Sequence, residues 1–148
     1  MTTDAAAGLE VRDFVAADHP QVVALLAANL SPFEPGTEEL PVIVSAFLEQ
    51  AHVEAVVAVS SGRIAGCAFL FINETVRGGR IGQIEDVAVD MNCRGTGVGR
   101  AMIAQLVDRA KARGCYKIIL ACSSNNVAFY QKAGFTADGT SMSILIRS

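Results

Sequence analysis

"CRGTGVGR" (residues 93–100) carries three glycines in eight positions, with an arginine at each end of the glycine spread. Glycine allows positive φ and a close backbone approach to a ligand. Just upstream, "IGQIEDVAV" (81–89) reads as a strand. From Gly99 onward, Met102, Ile103, Leu106, Val107 and Ala110 recur at helical spacing, with Arg100, Gln105, Asp108, Arg109 and Lys111 on the other face. The glycines therefore feed the start of a helix, where unpaired N–H groups and the helix dipole favour an anion. Arg94 and Arg100 can add charge-assisted contacts, so the loop suits a pyrophosphate. A Walker loop would need a lysine after Gly99, and a dinucleotide fingerprint would follow the first strand with uneven glycine spacing. Gly95, Gly97 and Gly99 are evenly spaced and lie mid-chain, which rejects both.

The rest of the chain sets this loop in a mixed fold. Its 148 residues suit one domain, 1–148, and 51% hydrophobic against 18% charged residues indicates an ordered globule. "LEVRDF" (9–14) alternates as a half-buried strand, and a helix starts near Asp18, an N-cap candidate. "SPFEPG" (31–36) breaks the chain, and Thr37 opens a second helix reaching roughly to Gln50. "HVEAVVAVS" and "RIAGCAFLFIN" are apolar strands joined at "SSGR", a hairpin signal. "CYKIILAC" (115–122) reads as a buried strand, "NNVAFYQKAGF" as a short helix and "TSMSILI" as a last, alternating strand. The order β-α-α-β-β-β-α-β-α-β is an α/β (mixed α+β) arrangement: a central mixed, twisted sheet flanked by about four helices.

Composition narrows the function classes. Residues 1–60 hold nine acids and one base, and residues 61–148 hold six acids and eleven bases. That basic excess is too sparse for nucleic acid and fits a small phosphorylated ligand. No run is long and apolar enough for a membrane span, and "MTTDAAAGLE" has neither the cationic start nor the apolar core of a signal peptide. Cys67, Cys93, Cys115 and Cys122 match neither a zinc cluster nor a CxxC pair, so reduced thiols in an intracellular, cytoplasmic protein are expected, with no metal. Cys122 reads as a small buried residue, and His19 and His52 as structural.

Arg94-x-x-Gly97-x-Gly99 resembles the acyl-CoA pyrophosphate motif of the GNAT acetyltransferase superfamily, and the element order matches that fold. Within it, "GQIEDVAV", "RGTGVG", "GCYKIIL" and "NNVAFYQKAGF" resemble blocks of the glucosamine-6-phosphate N-acetyltransferases. The likeness is nearly continuous over residues 82–135 and thin over 73–81 and 136–148.

The resemblance implies an acetyl-CoA-dependent N-acetyltransferase, acting on D-glucosamine 6-phosphate on the way to UDP-N-acetylglucosamine, by direct amine attack in a ternary complex. Coenzyme A would be held by Val87, Ala88 and Val89, by Arg94, Gly95, Thr96, Gly97, Val98, Gly99 and Arg100, and by Asn126, Phe129 and Tyr130. The Val87 N–H would donate to the thioester oxygen, and the Tyr130 phenol would protonate or stabilise the leaving thiolate. Glu85 and Asp86 would bind the amine and hydroxyls, Glu85 also as a base through water. Adjacent strand residues point to opposite faces unless the strand bulges. Ala121 stands where the family usually has an acid, and Ser31, Arg77, Arg80 and Arg147 are candidates to hold a sugar phosphate. The alternating C-terminal strand, Ser141–Ile146, would complete a partner's sheet in a homodimer. Another GNAT acting on a polyamine, aminophosphonate or drug, or a non-catalytic acyl-CoA-binding or interaction domain, are the competing readings. The small acids of residues 1–60 would suit a cationic amine.

Overall fold

In the computed structural model, which describes residues 2–3, 8–31 and 34–146, the strands of those residues form one sheet in chain order. They are β1 (Thr2–Thr3), β2 (Leu9–Asp13), β3 (Val53–Ser60), β4 (Arg63–Glu74), β5 (Arg80–Val89) and β6 (Cys115–Leu120). Neighbours run antiparallel except β5 and β6, which are parallel. The helices are α1 (His19–Asn29), α2 (Leu40–Leu48), α3 (Val98–Ala112) and α4 (Val127–Lys132). The mixed α/β architecture is the one expected.

The turns form where the sequence supplies their chemistry. Ser61 and Gly62 both take positive φ, 51° and 75°, so a two-residue turn joins β3 to β4 with Ser60 opposite Arg63. Before α2 the Glu39 carboxylate accepts the Gly36 N–H at 2.8 Å and closes a 3₁₀ turn, Thr37–Glu39. Asp18 behaves differently from the N-cap expected: it makes no side-chain cap to α1. Its carboxylate instead accepts the Val15 N–H at 2.9 Å and pairs with Arg12 at 2.8 and 2.9 Å.

Each face of the sheet buries its own core. On one, α3 packs Val98, Met102, Ile103, Leu106 and Ala110 against Val56, Ala58, Ala68, Leu70 and Ile84. On the other, Phe14, Val22, Val57, Cys67, Phe69 and Ala88 gather beneath α1 and α2, with Phe14, Phe47 and Phe69 meeting edge to face at 5.5–5.8 Å. Gly66 lets α3 sit this close, since a Cβ there would lie 3.0 Å from the Ala88 carbonyl oxygen and 3.1 Å from Val98. Part of the charge asymmetry is also internal. Arg109 pairs with Asp13 (2.6 Å) and Glu54 (3.1 Å), and Arg113 also pairs with Glu54, tying α3 to the acidic strands β2 and β3.

The C-terminal part of the chain departs further from expectation. Residues 141–146 form no strand: they lie outside the sheet and exposed, Met142, Ile144, Leu145 and Ile146 between 78% and 90% so. The alternation is present, but among the described residues no strand lies beside that segment to bond it. The strand expected buried over 115–122 is β6, Cys115–Leu120, whose residues are half-buried or exposed because it is the edge of the sheet among the described residues. Cys122, expected buried, is exposed because the chain has left the sheet after Leu120.

Candidate active site

The fifth strand is paired on both edges along only half its length. Residues 80–84 lie between β4 and β6, the last β6 pair being Ile84 with Leu120. Beyond it, among the described residues, Glu85–Val89 bond to β4 alone, and β6 has ended. The Asp90 N–H reaches back to the Ala65 carbonyl at 2.7 Å on the β4 side. N–H groups alternate between the edges of a strand, so those of Val89 and Val87 face the uncovered edge. A cleft lined by free backbone donors and acceptors opens there.

Asp86 starts this open segment in an unusual way. Cys67 pairs with Ala88 and Phe69 with Glu85, so two steps on β4 oppose three on β5, which is a bulge. Asp86 sits at φ 54°, a left-handed conformation uncommon for a residue with a Cβ. The bulge breaks the strict alternation of faces, and both Glu85 and Asp86 are exposed. Gln83 donates to the Glu85 carboxylate at 2.9 Å. Desolvation by the surrounding chain raises the Asp86 carboxyl above the ordinary aspartate range.

The open strand runs straight into the glycine loop. A single 3₁₀ turn, Met91–Cys93, is capped by Asp90, which accepts the Asn92 N–H at 2.8 Å. Gly95 and Gly97 take φ of 80° and 90°, and Gly97 is the left-handed residue directly before α3. The Thr96 hydroxyl donates to the Cys93 carbonyl. The first turn of α3 therefore offers N–H groups without intrahelical partners, next to exposed Arg94 and Arg100. This cradle fits a pyrophosphate by backbone contact: Val98 and Ala88 bury their side chains in the two cores, leaving only their main chain for a ligand.

One connection was not legible in the sequence. Arg94 donates to the Asn29 side-chain oxygen at 2.7 Å, and Asn29 in turn donates to the Leu25 carbonyl at 2.8 Å. The end of α1, and with it the exposed Ser31 two residues on, is thereby tied to the cradle. An asparagine closing a helix carries no motif that would have marked it.

Across the cleft, α4 brings Tyr130. It is 9% exposed, with its ring edge-on to Phe129 (5.0 Å) and Phe135 (5.8 Å). Burial first, and Cys122 second, push its phenol above the usual tyrosine value, so it stays a proton donor. Phe129 lies over the first turn of α3, where a Cβ on Gly99 would come within 3.1 Å of its ring. Asn126 makes no side-chain cap to α4 and is exposed. Ala121, Cys122 and Tyr130 border a cavity of about 590 Å³ that continues along the free edge of β6 past Tyr116 and Ile119.

The phosphate candidates are less gathered. Arg77 is exposed in the turn between β4 and β5. Arg80 starts β5, at the end away from the cradle, and is already engaged by Glu74 (2.7 Å) and the Arg113 carbonyl (2.8 Å). Arg147 lies outside the described residues. Among the described residues no group of three or more His, Cys, Asp or Glu is placed to hold a metal ion, and no helix is long and apolar enough to cross a membrane.

Comparison with known proteins bears on this geometry. The profile of the acetyltransferase (GNAT) family matches residues 21–135. A glucosamine 6-phosphate N-acetyltransferase of Trypanosoma brucei brucei is 48% identical over 79 residues, 52% of this chain and 54% of that protein. Glucosamine 6-phosphate N-acetyltransferase 1 of Oryza sativa subsp. japonica is 36% identical over 127 residues, 80% of this chain and 76% of that protein. The match thus spans about half the length of the first relative and three quarters of the second. The crystal structure of glucosamine-6-phosphate N-acetyltransferase from Arabidopsis thaliana superposes with a TM-score of 0.84 at 28% identity, covering 94% of this chain and 99% of that one.

Proposed function

This chain belongs to the acetyltransferase (GNAT) family, and from that premise we propose that it is an N-acetyltransferase carrying the acetyl group of acetyl-CoA to the amine of D-glucosamine 6-phosphate. The observation that carries the reading is the half-open fifth strand delivering its free edge directly to a helix N-terminus flanked by Arg94 and Arg100. A strand edge can pair with an amide-bearing arm, and a helix N-terminus with a pyrophosphate; coenzyme A has both in that order. The names of the matched relatives support the acceptor.

When bound, acetyl-CoA supplies a thioester carbonyl for attack by the amine and a thiolate as leaving group. Val87, Ala88 and Val89 hold the arm through their main chain. Arg94, Gly95, Thr96, Gly97, Val98, Gly99 and Arg100 hold the pyrophosphate, and Asn126 and Phe129 contact the arm from α4. The Val87 N–H polarises the carbonyl and Tyr130 supplies the proton to the thiolate. Glu85 and Asp86 orient the amine, Glu85 also accepting its proton through water. Ala121, at the cavity rim, supports the amine through its carbonyl. Ser31, beside the cradle, and Arg77, at the other end of β5, are alternative contacts for the sugar phosphate, each with Arg147; Arg80 is available only by leaving Glu74. Three of the nine acids of residues 1–60, Asp13, Asp18 and Glu54, already pair with arginines, which weakens the sequence argument for a polycationic acceptor.

The working unit we propose is a homodimer. The exposed segment 141–146 alternates like a strand, and the free edge of β6 carries exposed Tyr116 and Ile119 beside the cavity. Laying the partner's segment along that edge would cover both. Four free thiols suit a reducing, cytoplasmic setting. The deciding experiment measures coenzyme A release across a panel of amines. The reading requires glucosamine 6-phosphate to exceed glucosamine and spermidine in kcat/KM, and a preference for either of those contradicts it. Light scattering should give twice the chain mass, and a monomer would remove the dimer.

A further inference from the structure

The bulge lies between the Cys67–Ala88 and Phe69–Glu85 pairs of the β4–β5 ladder, and a side chain of β4 reaches into it. Cys67 on β4 is fully buried opposite Ala88, and its thiol donates to the Asp86 carbonyl oxygen at an Sγ···O distance of 3.5 Å. That carbonyl belongs to the same peptide unit as the Val87 N–H. The peptide is trans, so its C=O and N–H point in opposite directions and rotate together as one rigid plane. Anchoring the oxygen towards β4 therefore aims the Val87 N–H towards the open edge. Asp86 sits at φ 54°, and the left-handed conformation of a non-glycine residue persists only where its surroundings enforce it, so a contact on this peptide bears on its orientation.

Resting on the function proposed above, we propose that Cys67 is a positioning residue for acetyl transfer: its S–H, bonded to the Asp86 carbonyl, fixes the direction of the Val87 N–H that polarises the thioester. Only the protonated thiol can act in this way. Desolvation pushes the Cys67 thiol up to about 12, so the donor persists across the working pH range. Neither a nucleophilic nor a metal-binding role is involved, and full burial excludes contact with substrate.

The test compares Cys67→Ser, which keeps a donor, with Cys67→Val, which keeps an apolar filling without one. Each is made in the full chain and checked for cooperative melting, with Cys67→Ala as a second donor-free variant should Val prove too large. In the free protein, the Val87 amide resonance should move in the donor-free variants and hold in Cys67→Ser. In turnover, the donor-free variants should lose about tenfold in kcat, with KM for acetyl-CoA within about twofold, while Cys67→Ser stays within about threefold of the parent. An unmoved Val87 amide with parental kcat in a folded donor-free variant overturns the proposal, and so does Cys67→Ser failing as badly as Cys67→Val. A parent protein that acetylates no amine, yet whose Val87 amide responds as stated, sinks the proposed function and leaves the thiol's hold on the bulge standing.

Discussion

The two halves of β5 are one continuous strand with opposite duties. Residues 80–84 have strands on both edges and end in Ile84, 3% exposed within the α3 core. Residues 85–89 have a partner on one edge, a bulge at their start and two exposed acids. The first half anchors the sheet, and the second leaves backbone groups unpaired for a ligand. The boundary falls between Ile84 and Glu85, so neighbouring substitutions should have unlike consequences.

The largest effect on folding should come from Ile84→Ala, about 3 kcal/mol lost in denaturant unfolding, with kcat per folded molecule unchanged. The matching large effect on chemistry should come from Tyr130→Phe: about a hundredfold lower kcat, with Tm and KM for acetyl-CoA barely altered. A near-parental kcat would take Tyr130 out of the mechanism. Next is Glu85→Gln, one residue past the boundary, expected to lower kcat/KM about tenfold without a measurable change in Tm. If it instead destabilises as Ile84→Ala does, the two halves are not distinct.

Smaller still is a titration. Asp86 has a raised pKa, so its carboxylate forms only as pH climbs past the ordinary aspartate range. If the charged form binds the amine, kcat/KM gains an acid limb at that displaced pH, and Asp86→Asn, whose amide tolerates left-handed φ, erases the limb. The smallest effect lies away from the cleft. Asp18 is lowered, mainly by its hydrogen bond to Arg12, so this pair contributes stability above pH 4 and loses it as pH falls through the lower folded value. Arg12→Met should cost about 1 kcal/mol at pH 7 and progressively less in acid, by urea unfolding. A cost independent of pH would assign the loss to packing.

The sequence made some of this plain and hid the rest for physical reasons. Glycine spacing, helical periodicity and the "SSGR" turn are local, so the cradle, α3 and the hairpin could be read directly. The bulge could not: nothing in "IEDVAV" marks Asp86 for positive φ, because the cause is register against β4, seventeen to nineteen residues upstream. Cys67 escaped notice for the same reason, its role lying in a cross-strand partner. Arg80 looked available for phosphate, whereas Glu74, across the β4–β5 turn, takes it up. Residues 141–146 show the converse failure. Their alternation is genuine, but a strand needs an edge, and none among the described residues reaches them.

If coenzyme A completes the open half of β5, as proposed, amide hydrogen exchange with and without acetyl-CoA will register it residue by residue. Residues 80–84 should be protected in both states, while Val87 and Val89 exchange freely alone and become protected on binding. Protection of Val87 and Val89 before the ligand is added, or none after saturation, would contradict it.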